Sequence, residues 1–367
     1  MEFYMTVVRQ IVLGLAALFA TSSLALAQAG GAAVPFLLIT PDSRASGMGD
    51  VGTAMTEDIN AVFWNTGALA FNDASNQVAL SFAKWLPQFN ADLYYSYGTY
   101  GQYVEELGGT IAGSFIFMNL GEFTKTNENG QALGKFRSNE FCLGVSYGTQ
   151  VGKDVGLGVQ VKYIQSNLAP ASAGTPGAGV GISSAFDIGV LWRPSDLSIF
   201  GEDLSNRLRV GANLQNFGPK MTYDRESDPL PTNLRVGVAL TVLEDEFNKL
   251  TFTSDVMKLL VRRDGSNSDP LPISLVTSWE RGGLETGFGM EYVYDKSVAL
   301  RGGYFTEPAA AGAREYFTLG AGVNYDIFRA DFSYYITVEQ NHPLGNTLRF
   351  SLIVDWGREG TGSSSGN

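Results

Sequence analysis

The chain has 367 residues, a formal net charge of −12, one cysteine and one histidine. Nucleic-acid-binding proteins carry a basic surface, so this charge argues against nucleic acid as a partner. The single cysteine, Cys142, excludes an internal disulfide, and the single histidine, His342, leaves little for a zinc site or a Ser-His-Asp triad. Abundant glycine (44 residues) and few charged residues (17%) favour β-structure over the charged surface helices of a soluble enzyme.

The first 27 residues have the features of an export signal. Arg9 precedes an apolar run over residues 11–20, and Ala25 and Ala27 occupy the small-residue positions of a cleavage site. No later stretch approaches the roughly 20 apolar residues that a membrane-spanning helix needs. The sequence therefore predicts a signal peptide over residues 1–27 and an exported protein that has no helical anchor.

The stretch GMGDVG, residues 47–52, matches the G-x-G-x-x-G pattern of dinucleotide-binding sites. Such a site requires a strand before the glycines and a helix after them, within a repeated βαβ unit. Here Pro41 interrupts the arrangement after the apolar run FLLIT (residues 36–40), and most of the later chain alternates with a period of two. We therefore predict a tight backbone passage at these glycines and no bound cofactor.

From residue 76 onward, runs of about ten residues alternate between apolar and polar side chains, and turn residues separate the runs. Strands of soluble proteins average roughly five to six residues, whereas a tilted strand needs about nine to eleven to cross a bilayer. The pattern predicts an all-β fold, a transmembrane antiparallel β-barrel of about 14 strands. The runs span residues 76–85, 92–100, 109–119, 139–149, 155–166, 183–192, 208–215, 232–243, 250–260, 284–294, 297–305, 315–325, 328–337 and 346–356.

Charged residues within the runs occupy the polar face of the alternation. An arginine or lysine on the lipid face costs roughly 2 to 4 kcal/mol at mid-membrane, whereas one in the lumen does not. We therefore place these side chains inside the barrel, where they form either a selectivity ring or, as we favour, a salt-bridge network. The set consists of Lys162, Arg209, Arg235, Asp255, Arg301, Arg329, Asp331, Arg349 and Asp355.

The connections between the runs alternate in length, and short periplasmic turns with longer external loops are the arrangement of outer-membrane barrels. The connection over residues 193–206 is an exception, because it falls on the periplasmic side and is long enough for a short helix. Residues 357–367 are rich in glycine and serine and are predicted to form a disordered periplasmic tail. The predicted external loops include residues 120–138, 167–182, 216–231, 261–283, 306–314 and 338–345.

Other conspicuous side chains have predicted structural roles. His342 lies in a predicted external loop and is expected to be solvated, and Cys142 alternates toward the lumen, where it packs as a small residue. Aromatic residues near the ends of the runs predict interfacial girdles. The predicted girdle residues are Trp85, Tyr100, Tyr292, Tyr304, Tyr325 and Trp356. We identify no catalytic, cofactor-binding or metal-binding residues.

Four stretches carry a resemblance to a known family: residues 37–71 (LLITPDSRASGMGDVGTAMTEDINAVFWNTGALAF), 297–307, 314–335 and 346–356. Over essentially the whole mature chain, the sequence resembles the PorV/PorQ-type family of FadL-like outer-membrane barrels of the type IX secretion system. Family members usually show Asn-Pro-Ala after the tryptophan of the first stretch, whereas Trp64 is followed here by Asn-Thr-Gly. We expect a turn of different shape at that point. Family members also tend to end on an aromatic residue, a position that Trp356 takes here.

The resemblance implies a barrel over residues 76–356 whose N-terminal segment, residues 28–75, folds into the lumen as a hatch. It implies a non-enzymatic outer-membrane protein that binds the C-terminal signal domains of secreted cargo through external loops. The protein would shuttle this cargo from the translocon to the attachment complex. The implied partners are those cargo domains, a SprA-type translocon barrel, the attachment protease PorU, PorQ, PorZ and outer-membrane lipid.

Two groups of residues are the functional candidates. In the hatch and lumen network, we expect the glycines to pass close to the wall, and Asp42, Arg44 and Asp50 to pair with its charges. The network consists of Asp42, Arg44, Gly47, Gly49, Asp50, Gly52, Trp64, Asn65, Arg209, Arg235, Arg301, Arg329, Asp331 and Arg349. The predicted docking residues for cargo lie in external loops and are Tyr223, Arg225, Pro229, Arg262 and Arg263.

Three other functional classes remain as alternatives. A FadL-type channel for hydrophobic solutes would have an apolar lumen, and the many inward charges argue against it. A hydrolase acting on lipopolysaccharide would need His342 or an equivalent base. A soluble β-protein would not change its migration on a denaturing gel when heated.

Overall fold

The computed structural model describes residues 31–357, except residues 56–57, 73–75, 90–91, 128, 170–178, 225, 265–266, 281 and 310–311. The predicted signal peptide, residues 358–367 of the predicted tail, and Arg225 lie outside the described residues. Within the described ranges, no helix is both long and apolar enough to cross a membrane.

Fourteen antiparallel strands form one closed barrel, which confirms the predicted fold. Strands that follow each other in the barrel pair with each other, and the first pairs with the last, from Asn76 opposite Trp356 to Ala83 opposite Arg349. Closure pairs the backbone polar groups of the wall, as a lipid environment requires. The strands are β1 (Asn76–Lys84), β2 (Tyr94–Val104), β3 (Gly109–Thr126), β4 (Ala132–Val151), β5 (Val155–Asn167), β6 (Val180–Trp192), β7 (Leu208–Phe217), β8 (Asn233–Glu244), β9 (Asn248–Leu259), β10 (Leu284–Tyr294), β11 (Val298–Thr306), β12 (Glu315–Tyr325), β13 (Phe328–Thr337) and β14 (Leu348–Trp356).

Side chains alternate between a buried inner face and an exposed outer face along the strands. In β6 the alternation is unbroken: Ile182, Phe186 and Ile188 are exposed, whereas Asp187 is buried. Apolar residues outside and polar residues inside are the reverse of a soluble protein and suit a wall that faces lipid. We assign the end of the barrel with the shorter turns, where β1 begins, to the periplasm and the opposite end to the exterior.

β3 and β4 are longer than predicted, with 18 and 20 residues. Most of the predicted external loop 120–138 continues both strands as a paired hairpin beyond their neighbours. Phe123 and Phe136 stack across this hairpin with ring centroids 5.7 Å apart. Cross-strand aromatic pairs stabilise a sheet locally, which explains why the pairing outlasts the membrane-spanning part.

The periplasmic connection 193–206, although long enough for a short helix, forms a hairpin. Ser198–Ile199 pairs with Glu202–Asp203. Phe200 and Gly201 between them have φ values of 53° and 85°. Positive φ at both central residues produces the tight turn of a two-residue hairpin and ends any helical path.

The remaining elements are short. The helices are α1 (Ser43–Ser46), α2 (Ala61–Trp64) and α3 (Ser274–Thr277), and 3₁₀ turns span Pro35–Leu38, Thr66–Phe71, Pro87–Phe89, Glu105–Leu107 and Ser278–Glu280. In the external loops, Met221–Tyr223 pairs with Glu226–Asp228, and Arg263–Asp264 pairs with Asn267–Ser268.

One predicted girdle residue lies elsewhere. Trp85 packs against a buried cluster at the external end of the lumen that contains Phe305 and Tyr316, and the guanidinium of Arg349 lies 5.5 Å from its ring. The prediction is wrong because Trp85 follows the last residue of β1, where the strand alternation no longer sets the side-chain direction.

Candidate functional site

The N-terminal segment, described over residues 31–72 except 56–57, lies against the buried face of the barrel wall. Gly49 N donates to Thr318 Oγ1 of β12 at 2.8 Å, and Asn65 Nδ2 donates to the Val190 carbonyl of β6 at 2.9 Å. Because these two strands are not neighbours in the barrel, the segment crosses the lumen. Its apolar side chains pack into clusters with inward residues of the wall, such as Phe36 with Tyr95.

Asp42 caps the start of α1 within this segment. Its Oδ1 accepts the Ala45 backbone N–H at 2.8 Å, and its Oδ2 accepts the Trp64 indole N–H, also at 2.8 Å. Burial, helped by the nearby Asp58 carboxylate, raises the pKa of Asp42 to about 6. Asp42 thus links two turns of the segment and makes none of the wall ion pairs predicted for it among the described residues.

The glycines of the GMGDVG stretch lie where the segment approaches other atoms most closely. An ideal Cβ on Gly49 would lie 2.6 Å from the Tyr304 carbonyl oxygen, and one on Gly47 would lie 3.0 Å from the Cα of Gly320. A Cβ on Gly52 would lie 2.4 Å from the Trp64 ring. α1 precedes these glycines and barrel wall lies against them, so the strand–turn–helix context of a dinucleotide site is not present here.

Inward polar side chains of the barrel satisfy the backbone of the segment. The Asp255 Oδ2 of β9 accepts the Gly52 and Thr53 backbone N–H groups at 2.8 and 2.9 Å, and the Thr53 hydroxyl at 2.7 Å. The Asn213 amide of β7 donates to the Trp64 carbonyl at 3.0 Å. When a segment is buried and most of its backbone N–H and C=O groups are not paired in a helix or sheet, side chains must supply the hydrogen-bond partners.

A closed ring of alternating charges joins the segment to the wall. We call it the charged ring, and its members in order are Arg44, Asp58, Arg329, Asp331, Arg301 and Glu291. Arg44 donates to both carboxylate oxygens of Glu291, at 2.9 and 2.7 Å. Arg301 donates to Glu291 at 2.7 Å and to Asp331 at 2.6 Å. Arg329 contacts Asp58 at 2.8 Å and Asp331 at 3.7 Å.

The charged ring is neutral as a whole and in both of its parts. Arg44 and Asp58 come from the segment and pair with each other at 3.2 Å, and the wall supplies two arginines and two carboxylates. The Arg301 and Asp331 side chains are only 2% and 1% exposed. Such buried charges are stable only when each is paired, so the ring specifies how the segment sits against the wall.

Asp50 is held by an aromatic stack at the external end. The hydroxyls of Tyr316 and Tyr335 donate to its two carboxylate oxygens, the latter at 2.6 Å. The rings of Phe305, Tyr316 and Tyr335 stack on adjacent strands with centroids 4.8 and 4.9 Å apart. Asp50 therefore meets wall hydroxyls instead of the wall arginines that were predicted as its partners.

Arg235 and Arg349 are buried without a salt bridge to a carboxylate in the described part of the chain. Arg349 lies between Tyr335 and Trp85 and donates to the Thr40 carbonyl at 2.6 Å. Arg235 lies 5.1 Å above the Trp64 ring and donates to the Gln215 side chain at 3.0 Å. The Arg209 guanidinium contacts the Thr241 hydroxyl at 3.4 Å.

Two cavities lie on opposite sides of the segment. The external one has a volume of about 390 Å³ and combines apolar residues such as Phe36 and Leu38 with Arg235 and Arg349. The periplasmic one has a volume of about 500 Å³ and is lined by four members of the charged ring and by turns between strands. The segment thus occupies the lumen between them.

The first predicted docking loop folds partly inward. The carbonyl of Pro229 accepts the Ala33 N–H of the N-terminal segment at 2.8 Å. Tyr223 is partly buried against a core cluster that includes Met221 and Leu230. Part of the 218–232 loop therefore belongs to the core of the protein.

The second predicted docking loop exposes an apolar surface. Arg262 pairs with Glu280 at 2.9 Å, and Arg263 lies in the short strand pair that follows. Beyond it, Ile273 just before α3 (55%), Val276 in α3 (75%) and Trp279 in the next 3₁₀ turn (56%) are exposed, while Ser274 and Ser278 are buried. We call these three side chains the apolar turn, which neither sequence patterning nor the resemblance singled out.

Sequence reasoning also missed two members of the charged ring. Glu291 follows Met290 in a predicted strand, so the alternation that assigned Asp331 to the lumen could have assigned Glu291 as well. Asp58 lies in the segment TEDINAVFW, where no periodic pattern indicates a side-chain direction.

Comparison with solved structures supports the fold. A Pseudomonas aeruginosa FadL homologue matches with a TM-score of 0.53 and 13% identity, covering 89% of this chain and 100% of its own. The P. putida toluene transporter TodX matches with a TM-score of 0.52 and 11% identity, covering 85% of this chain and 97% of its own. The CymD monoaromatic hydrocarbon channel matches with 0.53 and 13%, covering 86% and 97%. At these identities the likeness concerns the FadL-like fold alone.

Comparison with protein families identifies the chain more closely. No curated protein sequence matches it. The family described as type IX secretion system protein PorV matches residues 25–265, which is more than half of the chain and includes the N-terminal segment and β1–β9. The chain therefore belongs to the PorV family and is an outer-membrane barrel protein of the type IX secretion system.

Proposed function

We propose that this protein binds the C-terminal signal domains of secreted cargo at its external end and carries the cargo from the translocon to the attachment complex. Membership of the PorV family supports a role in type IX secretion. The apolar turn supports a docking surface at the external end. In this proposal, the partners are a SprA-type translocon barrel, PorU, PorQ and PorZ, and residues 28–75 act as a hatch.

The apolar turn is the observation that carries the docking proposal. A surface helix normally buries its apolar side chains and exposes its polar ones. Here Val276 and Trp279 are exposed and Ser274 is buried, which is the reverse. Exposed aliphatic and aromatic side chains with a polar surround are typical of the anchors of protein interfaces, and Arg262 with Glu280 supplies such a surround.

An apolar groove of about 290 Å³ between the two external loops adjoins this region. Lys220 of one loop donates to the Ser268 hydroxyl of the other at 2.7 Å, which fixes the loops relative to each other. The prolines in the lining offer no N–H groups, so the groove suits an apolar side chain better than an added strand. Its lining includes Pro219, Pro229, Leu230, Leu260 and Leu271.

Replacing Val276 by Asp together with Trp279 by Ser tests the docking role. Because the changes remove the centre of the apolar turn, we expect co-purification of C-terminal-domain cargo to fall by about tenfold or more. Both side chains are exposed, so heat-modifiable migration of the barrel should be unchanged. The measurement is affinity capture from outer membranes with quantification of the cargo domains.

Leu133→Asp is the matched control for this experiment. Leu133 is 60% exposed near the tip of the β3–β4 hairpin, at the same end of the barrel, but outside the apolar turn. Cargo capture by this variant should equal that of the unchanged protein. Equal capture by the Val276 and Trp279 double variant would refute docking at the apolar turn.

A FadL-type channel is the second candidate, and the external cavity favours it. The cavity is apolar on the side of Leu38 and Ile39, and it contains Arg235 and Arg349, which form no ion pair with a carboxylate in the described ranges. An aliphatic chain fits the apolar side, and its carboxylate would have to meet these arginines and avoid Asp50, Glu140, Glu285 and Glu307, which also line the cavity. The dense contacts between the segment and the wall weigh against a passage through the lumen.

Uptake of a fluorescent aliphatic carboxylate separates the two candidates. If the protein is a shuttle, we expect equal uptake by cells with and without it. Leu38→Trp fills the external cavity and serves as the comparison variant. Saturable uptake that depends on the protein and is abolished by Leu38→Trp would instead establish the channel.

A further inference from the structure

The periplasmic hairpin, residues 194–206, ends in an exposed aromatic side chain. Phe200 is 87% exposed, more than any other large hydrophobic residue that the structure describes, and the adjacent Ile199 is 40% exposed. Single exposed hydrophobic residues are ordinary. Two adjacent ones at the tip of a protruding hairpin form a contiguous apolar knob, which is typical of a contact site.

The hairpin holds this knob in a fixed position. At its base, Arg193 N donates to the Asp154 carbonyl at 2.7 Å and Ser195 N donates to the Asp154 carboxylate at 2.8 Å. Leu197 N donates to the Ser205 hydroxyl at 2.9 Å across the hairpin. A preorganised knob loses little conformational entropy when a partner binds it.

The turn geometry does not by itself favour phenylalanine at the tip. Phe200 has a φ of 53°, in the left-handed region. That region is unfavourable for a bulky residue and is better suited to Asn or Gly. Phe200 therefore combines backbone strain with exposure to water, and packing against the residues that the structure describes offsets neither.

Charge indicates which partner fits the knob. Residues 194–206 contain Asp196, Glu202 and Asp203 and no lysine or arginine. Anionic lipid headgroups would repel these carboxylates, which disfavours insertion of the tip into the membrane. A protein pocket with an apolar floor and a basic rim would complement both features.

We propose that the hairpin tip docks into an apolar, lysine- or arginine-rimmed pocket of a periplasmic protein. This contact is separate from the proposed cargo docking, because it lies at the opposite end of the barrel. The guanidinium of Arg193 lies 4.7 Å from the Phe71 ring of the N-terminal segment. Arg193 at the base of the hairpin therefore contacts the segment that occupies the lumen directly.

A photo-crosslinking amino acid at Ile199, in intact cells, tests the proposal. We expect a covalent product with a periplasmic protein, and we expect Phe200→Asn to reduce it by about tenfold, as for an interface anchor. Asparagine suits the left-handed turn, so this variant keeps the hairpin and should not lower barrel stability. Reversing charge with Asp196→Lys and Glu202→Lys should reduce the product by a similar factor.

Phe247 provides the control position for the crosslinker. It is 48% exposed on the periplasmic turn between β8 and β9, next to Glu246, and resembles the knob in chemistry but not in shape. No product is expected there. A lipid adduct alone at position 199, the absence of any adduct, or a protein adduct that neither Phe200→Asn nor charge reversal reduces would each overturn the proposal.

Discussion

Replacing Gly49 by alanine is expected to destabilise the barrel by about 3 kcal/mol or more, and replacing it by valine should prevent assembly. The added Cβ would lie 2.6 Å from the Tyr304 carbonyl oxygen and 2.7 Å from that of Phe288. Both oxygens belong to strands that pair with each other, so they cannot move aside without breaking the sheet. Gly49 itself has a φ of 76°, which adds strain for any residue with a side chain.

The segment is therefore expected to leave the wall at this point and lose the hydrogen bond from Gly49 N to Thr318. The temperature at which heat-modifiable migration is lost on a denaturing gel reports the change. Gly130→Ala is the matched control, because Gly130 also has a φ of 76° but no atom within 4 Å of its ideal Cβ. It should lose only about 1 kcal/mol, from backbone strain alone. Equal effects of the two substitutions would show that Gly49 is not pressed against the wall.

The barrel itself could be predicted because lipid imposes one simple rule on every strand. Apolar side chains must alternate outward over the full width of the bilayer, and this leaves a long, regular signal. The predicted runs 284–294, 315–325 and 328–337 coincide with β10, β12 and β13 at both ends. Strand ends were less predictable where pairing continues outside the membrane, as in β3 and β4.

The interior was less predictable because no period governs it. Alternation brings Arg301 and Asp331 to the lumen, but it cannot say which charge pairs with which. The wall partner of Arg44 is Glu291, 247 residues away along the chain, and the closed barrel brings them together. Asp50 shows the same limit, since its partners are tyrosine hydroxyls on β12 and β13.

The external loops show a different limit. Their composition predicted exposed docking residues, yet Pro229 contacts the N-terminal segment and Tyr223 packs against the core. The many prolines and charged residues of this loop indicate an exposed loop, whereas its Met221 and Leu230 side chains are fully buried. The apolar turn escaped notice because Ile273, Val276 and Trp279 share a face only once a helical turn has formed.

Replacing Arg301 by methionine is expected to cost about 3 to 5 kcal/mol in the free energy of unfolding, the range for breaking a buried ion pair. Arg301 links Glu291 to Asp331 directly, with contacts of 2.7 and 2.6 Å. Methionine fills much of the same space but supplies no donors. Both carboxylates, which are 5% and 1% exposed, would lose a partner. Denaturant titration of the purified barrel in lipid vesicles measures the loss.

Lys135→Met is the matched control for Arg301→Met, because it breaks an ion pair of the same length that is exposed instead of buried. Lys135 and Glu122 are also 2.6 Å apart, but their side chains are 68% and 44% exposed on the β3–β4 hairpin. Water solvates the remaining carboxylate there, so the change should cost much less than Arg301→Met. Adding Asp331→Asn to Arg301→Met should recover part of the stability, because it removes one of the two carboxylates that lost a partner. If Arg301→Met costs no more than Lys135→Met, the charged ring does not fix the segment in the lumen, and its apolar clusters must do so.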